Sequence, residues 1–111
     1  DETVQQTGEE CMVVVAGGRV IALTKNMPER YDYSGEGVGF LRVRHADTPH
    51  VVSSLRGYID RGSWDMEYED ALQAYFQDVR VGYERIGGLP WTEIDFIEDV
   101  RKAELEVSPK L

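Results

Sequence analysis

The chain has 111 residues, of which 41% are hydrophobic, and this apolar content is enough for one modest core. Its 12 Lys and Arg against 21 Asp and Glu give a formal net charge of −9, which opposes binding to nucleic acid and to anionic membrane surfaces. No apolar run approaches the roughly 20 residues of a spanning helix, and no secretory leader precedes the first apolar run. We therefore expect one domain, or part of one, in the cytoplasm.

The single cysteine, Cys11, leaves this chain without a partner for an intramolecular disulfide or a second thiolate for a metal site. It opens the apolar run 11–16, where a free cysteine behaves as a small hydrophobic residue. A reducing compartment fits this usage. We interpret Cys11 as a buried structural thiol and not as a nucleophile.

Two β-rich runs, residues 11–16 and 19–24, follow a polar entry loop over residues 1–10. They are separated by Gly17-Gly18, and glycine readily supplies the positive φ angles that a two-residue hairpin turn requires. The pattern predicts a β-hairpin.

Residues 26–36 contain proline, aspartate, serine and glycine without a sustained period, which predicts a loop. Residues 37–43 are predicted to form a third strand. The glycines at 35, 37 and 39 precede that strand and do not join a strand to a helix, so they do not match a phosphate-binding loop.

A helix is predicted from Thr48-Pro49, a capping residue before proline, to the neighbourhood of Gly62. A second helix is predicted from Asp65 to about Asp78. Its inward-facing apolar residues are expected to be Met66, Ala71, Leu72, Tyr75 and Phe76.

Residues 79–86 alternate apolar and polar side chains, which predicts a half-buried strand that Gly87-Gly88 ends. An extended piece over 89–95 and a last helix that ends before Ser108 complete the chain. This order of elements predicts a mixed α/β arrangement.

The densest functional signal is the pair Glu93 and Asp95, which alternation places on one face of an extended segment. Mg²⁺ accepts one or two protein carboxylates and completes its shell with water and phosphate oxygens, so the pair suits a phosphoryl or nucleotidyl transfer site. The alternative is structural: Asp95 caps the last helix and Glu93 is solvated.

A second signal is the segment 64–70, in which Trp64 and Tyr68 stand among four acids that include Asp70. Aromatic faces beside carboxylates bind cationic head groups by cation–π attraction and charge pairing. The alternative is an amphipathic helix start whose acidic first turn complements the helix dipole.

Lys25 follows the second hairpin strand, where its ammonium group can approach a phosphate or be simply solvated. His45 and His50 lack a metal-binding spacing and are interpreted as surface residues. Ser53-Ser54 lies in a predicted helix without a nucleophile-elbow motif, so serine hydrolase chemistry has no support.

The segment Leu89-Pro90-Trp91-Thr92-Glu93-Ile94-Asp95-Phe96-Ile97-Glu98-Asp99-Val100 resembles the pattern that closes phosphocholine and related sugar-phosphate or phosphonate cytidylyltransferases. Residues 8–15 with 18–25 are similar to that family's central hairpin, which ends in a lysine. Residues 37–40 and 68–72 resemble its glycine-containing strand and its "YEDxL" helix. The four matches occur in the family's order.

This resemblance implies the C-terminal portion of a Rossmann-like, three-layer α/β/α nucleotidyltransferase fold with a β-hairpin. It implies that a nucleoside triphosphate reacts with a small phosphorylated acceptor, with Mg²⁺ as cofactor. By position, Asp95 and Glu93 would hold the metal, Lys25 and Asp95 would be catalytic, and other side chains would line the acceptor pocket. Those pocket residues are Trp64, Tyr68, Asp70 and Trp91.

The family's N-terminal nucleotide-binding half, with its glycine-rich basic loop and first metal-binding aspartate, has no counterpart here. Phe96-Ile97 also replaces the commoner Thr-Pro. Residues 1–111 are therefore expected to be a single partial domain that is inactive alone and pairs with the missing half. Two alternatives stay open: a noncatalytic acidic α/β interaction module that self-associates, and an unrelated small α/β domain.

Overall fold

The structure, a computed structural model, describes residues Glu10–Leu111. The predicted entry loop lies outside these residues except for Glu10. A three-stranded sheet comes first and four α-helices follow it. These elements are β1 Met12–Ala16, β2 Arg19–Thr24, β3 Tyr33–Glu36, α1 Thr48–Asp60, α2 Tyr68–Ala71, α3 Gln73–Asp78 and α4 Ile97–Lys102.

The predicted hairpin is confirmed: β1 and β2 pair antiparallel, from Met12 opposite Thr24 to Ala16 opposite Arg19. Gly17 and Gly18 form the turn with φ angles of 59° and 68°. Side chains with a Cβ rarely adopt such angles, so the glycine pair places the tight turn at this point.

The third strand lies earlier than the predicted residues 37–43, because β3 is formed by residues of the predicted loop. It pairs antiparallel with β1, and the sheet order is β2-β1-β3. Asp32 anchors the start of β3: its amide donates to the Val15 carbonyl at 2.9 Å, and its carboxylate accepts from the Gly17 amide at 2.8 Å. These non-local bonds to the hairpin decide where the strand begins.

The first predicted helix is confirmed as α1, which ends before Gly62 with a φ of 72° at that glycine. The second predicted helix is divided into α2 and α3 at Leu72. The hydroxyl of Ser54, on α1, donates to the Ala71 carbonyl and accepts from the Tyr75 amide at 3.2 Å. A side chain inserted into the i→i−4 ladder in this way interrupts a helix.

The core lies between β2 and the helical segment 72–79. Its buried members are Val20, Leu72, Tyr75, Phe76 and Val79. Phe76 is 1% exposed, and burying one such side chain contributes about 1.5–3 kcal/mol. The residues predicted to face inward from the second predicted helix are buried except Met66, which is 46% exposed.

Residues 79–86 do not form the predicted strand; the segment has no regular secondary structure and contacts the sheet near the hairpin turn. One backbone bond ties it to β2, from the Val20 amide to the Val81 carbonyl at 2.8 Å. Arg80 donates to the Gly17 carbonyl at 3.4 Å. The strand predicted from the alternation is therefore wrong, because the segment has this one backbone bond to β2 and no continuous ladder.

The last helix begins as α4 and continues as a π-helical turn over Ala103–Val107 and a 3-10 turn over Ser108–Lys110. It therefore extends past the predicted end. Among the helices between Glu10 and Leu111, none has the length and apolar character needed to cross a membrane.

The mixed α/β class predicted from the element order is thus correct at the level of three antiparallel strands followed by helices. Every strand pair between Glu10 and Leu111 is antiparallel, so the parallel sheet of a Rossmann-like fold is not seen in this part of the chain.

Candidate functional site

An open cavity of about 1090 Å³ lies beside the sheet. Its wall combines side chains of β1, β2 and β3 with the start of α2, the 79–86 segment and residues 93 and 95. Phe76 of the core also lines it. The cavity therefore gathers residues that are up to 85 positions apart in the sequence, since Glu10 and Asp95 both line it.

Four of the seven residues selected from the sequence line this cavity: Lys25, Tyr68, Glu93 and Asp95. The fold brings them together from three separate segments of the chain. The other three, Trp64, Asp70 and Trp91, do not line it. Trp64 is 74% exposed outside the cavity.

Asp99, and not Asp95, satisfies the backbone at the start of α4. Its carboxylate accepts from the amides of Phe96 at 2.9 Å and Asp95 at 3.1 Å. These bonds hold the pKa of Asp99 below its ordinary value. The phenylalanine at the N-cap has no side-chain acceptor, so the helix is capped from within its own first turn. The capping role considered for Asp95 is therefore wrong, and its side chain lines the cavity instead.

Lys25 lies directly after β2, and its ammonium nitrogen is 3.0 Å from a carboxylate oxygen of Glu67. Glu67 is the residue before α2 and also lines the cavity. The two side chains are 41% and 54% exposed, so the ion pair is solvated and weak. The Gln73 side chain donates to the Leu23 carbonyl at 2.8 Å and ties the helical segment to the end of β2.

The cavity is strongly acidic. Among the residues from Glu10 to Leu111, seven carboxylates line it against two cations, Lys25 and Arg85. The seven are Glu10, Glu36, Glu67, Glu69, Glu84, Glu93 and Asp95. Such a concentration of like charge favours cationic groups and disfavours isolated anions.

Ionisable groups of the cavity wall respond to this environment, among them Glu36 and Cys11. Burial, followed by the carboxylates Glu10 and Glu93, raises the pKa of Glu36. Burial, followed by Glu69 and Glu67, raises the pKa of Cys11 to about 11. Cys11 is only partly buried and lines the cavity, so the predicted burial is incomplete, and its thiol is protonated at neutral pH, which disfavours the role of a nucleophile.

An aromatic wall completes the cavity. The ring of Tyr83, on the 79–86 segment, stacks on that of Tyr33 with centroids 5.8 Å apart. The Arg85 guanidinium lies 5.1 Å from the centre of the Tyr33 ring. Tyr68 and Phe40 also line the cavity and are 55% and 94% exposed. Exposed ring faces beside carboxylates provide the chemistry that binds organic cations.

Glu93 and Asp95 supply hard oxygen donors of the kind that Mg²⁺ prefers, and two carboxylates are a usual protein contribution for that ion. The donor chemistry thus fits the metal. No group of three or more His, Cys, Asp or Glu side chains between Glu10 and Leu111 has an arrangement that would hold a metal ion. Any Mg²⁺ held here would take its remaining ligands from water and phosphate.

Sequence reasoning missed Glu36 and Glu67 as cavity residues. Glu36 lies between two glycines, a context interpreted as loop, and β3 brings it to the wall. Glu67 lies in the acidic segment 64–70, which was predicted to bind a cationic head group through Trp64 and Tyr68 and not to pair with Lys25. For the Lys25–Glu67 pair, the sequence offered only a lysine at a strand end and several acids elsewhere.

Comparison with protein-family models, curated proteins and solved structures finds no match to this chain.

Proposed function

We propose that this chain is the acceptor-binding part of a Mg²⁺-dependent nucleotidyltransferase, and that its fold is the C-terminal portion of a Rossmann-like domain in a longer enzyme. The observation that carries this proposal is the convergence of Lys25, Tyr68, Glu93 and Asp95 on one cavity. These residues come from the three segments that resemble the cytidylyltransferase hairpin, helix and closing motif.

In the proposed reaction, a phosphate oxygen of the acceptor attacks the α-phosphorus of a nucleoside triphosphate that another part of the longer enzyme binds, and the bond to pyrophosphate breaks. Lys25 would hold the acceptor phosphate by charge. Glu93 and Asp95 would hold the metal, which supplies charge neutralisation at the phosphates. The chain's contribution is positioning and electrostatics, without a covalent intermediate.

The acceptor would be phosphocholine, a sugar phosphate or a phosphonate. The acidic wall and the exposed rings of Tyr68 and Phe40 favour an acceptor that carries a cationic head group. In that arrangement the cation would lie against rings and carboxylates, while the phosphate would lie at Lys25.

The test is isothermal titration of the chain with phosphocholine, with and without Mg²⁺, and with a panel of sugar phosphates and phosphonates. We expect binding of an acceptor that requires Mg²⁺, with a dissociation constant that Asp95→Asn raises by about tenfold or more. The matched control is Glu98→Gln, which removes the same charge from an exposed position outside the cavity wall. Binding that is independent of Mg²⁺ and equal in both variants, or no binding by any acceptor, would contradict the proposed function.

A second candidate is a noncatalytic acidic interaction module. It is favoured by large apolar side chains at the surface, among them Phe40 at 94% exposed, Phe96 at 72% and Ile97 at 69%. Such a module would self-associate or bind another protein. Sedimentation analysis combined with the titration separates the candidates, since a module would associate without responding to Mg²⁺ or phosphorylated ligands.

A further inference from the structure

Lys25 is the cation that the proposed function assigns to the acceptor phosphate, and a carboxylate of the same chain already lies at its ammonium group. Glu67 Oε1 is 3.0 Å from Lys25 Nζ, a normal distance for a charge-assisted hydrogen bond. Carboxylate and phosphate oxygens use the same donors, so Glu67 takes a position that a ligand phosphate would also seek.

The placement of Glu67 suits this competition. It immediately precedes α2, and both Lys25 and Glu67 line the cavity. The two residues are 42 positions apart, so the fold and not local sequence creates the contact. Both side chains are partly exposed, and an exposed pair of this kind is stabilised by no more than about 1 kcal/mol. A phosphate can therefore displace Glu67 at small cost.

We propose that Glu67 is an internal competitor of the acceptor phosphate: it positions the Lys25 ammonium group in the ligand-free chain and is displaced when phosphate binds. This inference rests on the proposed function. It adds a specificity element, because a ligand must bring enough negative charge to replace a carboxylate inside an acidic cavity. A neutral or purely cationic ligand would leave the Lys25–Glu67 pair intact.

The test uses inorganic phosphate as the probe, without Mg²⁺, at constant ionic strength. The dissociation constant is measured by NMR titration for the wild-type chain, Glu67→Gln, Lys25→Met and the double variant. We expect Glu67→Gln to bind phosphate more tightly by up to about fivefold, the equivalent of one exposed ion pair. In the Lys25→Met background the same substitution should give no such gain.

Two controls separate competition from a general change in charge. Glu84→Gln removes a carboxylate from the cavity wall, and Asp65→Asn removes one from the segment 64–70, which also holds Glu67, but outside the wall. Both should tighten phosphate binding less than Glu67→Gln. An equal gain in either control, a gain that persists without Lys25, or no phosphate binding by wild type and Glu67→Gln would overturn the inference.

The outcomes of this test and of the test of the proposed function can be told apart. Suppose that Glu67→Gln tightens phosphate binding at Lys25 but that no acceptor binds in a Mg²⁺-dependent way. This result would support the role of Glu67 and contradict the proposed nucleotidyltransferase function. If acceptor binding depends on Mg²⁺ and Asp95 and phosphate binding is unchanged by Glu67→Gln, the proposed function is supported and the role of Glu67 is contradicted.

Discussion

Ser54 shows how one side chain can reorganise its neighbours. It is 7% exposed, and its hydroxyl occupies the place where the Ala71 carbonyl and the Tyr75 amide would bond to each other. The interruption separates the segment that carries Tyr68 and Glu69 to the cavity from the segment that carries Phe76 to the core. Sequence periodicity could not predict this, because the inserted group lies 17 residues before the carbonyl that it contacts.

Replacing Ser54 by alanine should therefore destabilise the fold. The change removes a partner from a buried carbonyl and a buried amide, which costs about 1–3 kcal/mol if the helix does not close over the gap. Urea unfolding followed by circular dichroism measures the change in the free energy of unfolding.

Ser53→Ala is the matched control, because Ser53 is the exposed neighbour in α1 and should have little effect. Equal stability of the Ser54 variant and the control would show that the α2–α3 segment can form a continuous helix without loss.

At the scale of elements, local signals predicted local structure. Glycine at the hairpin turn and proline at the start of α1 act within a few residues, and both elements formed where expected. β3 and the 79–86 segment were misplaced because partners distant in sequence decide them. Asp32 binds the hairpin turn, and Val81 has a single backbone bond to β2.

The start of α4 makes a prediction of its own. Asp99→Ala should fray this helix, since the amides of Asp95 and Phe96 lose their acceptor. The pKa of Asp99 is lowered in the folded state, so its contribution is present above its ordinary pKa and is lost as pH falls through the lower folded value.

Amide hydrogen exchange of residues 95–102 at neutral pH measures this fraying, and Glu98→Ala in the same first turn is the control. Faster exchange at neutral pH that disappears in strong acid is expected. Unchanged exchange would mean that Asp99 does not hold the helix start.

At the scale of the whole molecule, the cavity concentrates negative charge that the chain as a whole also carries. The sequence predicted part of this site: Lys25, Tyr68, Glu93 and Asp95 meet in the wall. It did not predict the contributions of Glu36 and Glu67, because convergence of acids on one cavity depends on the packing of β3 and α2 and not on any motif.

The pH dependence of stability should report this charge. The pKa of Glu36 is raised, so its favourable contribution is present below the ordinary value of 4.5 and is lost as pH rises through the folded value. Glu36→Gln, which stays neutral, should therefore have a higher urea midpoint than wild type at neutral pH. The two midpoints should converge in acid.

Glu98→Gln removes an equal charge from an exposed site outside the wall and should not reproduce this pH-dependent difference. A lower midpoint for Glu36→Gln at neutral pH would contradict a net electrostatic cost of the Glu36 carboxylate.

The glycine turn of the hairpin also has a consequence for kinetics. A two-residue connection leaves almost no loop entropy to overcome, and hairpins of this kind close within roughly 1–10 μs. The Asp32 carboxylate at the start of β3 accepts from the amide of Gly17 within this turn, so this contact requires the turn to be formed. We therefore expect the hairpin to form before β3 docks and completes its part of the cavity wall.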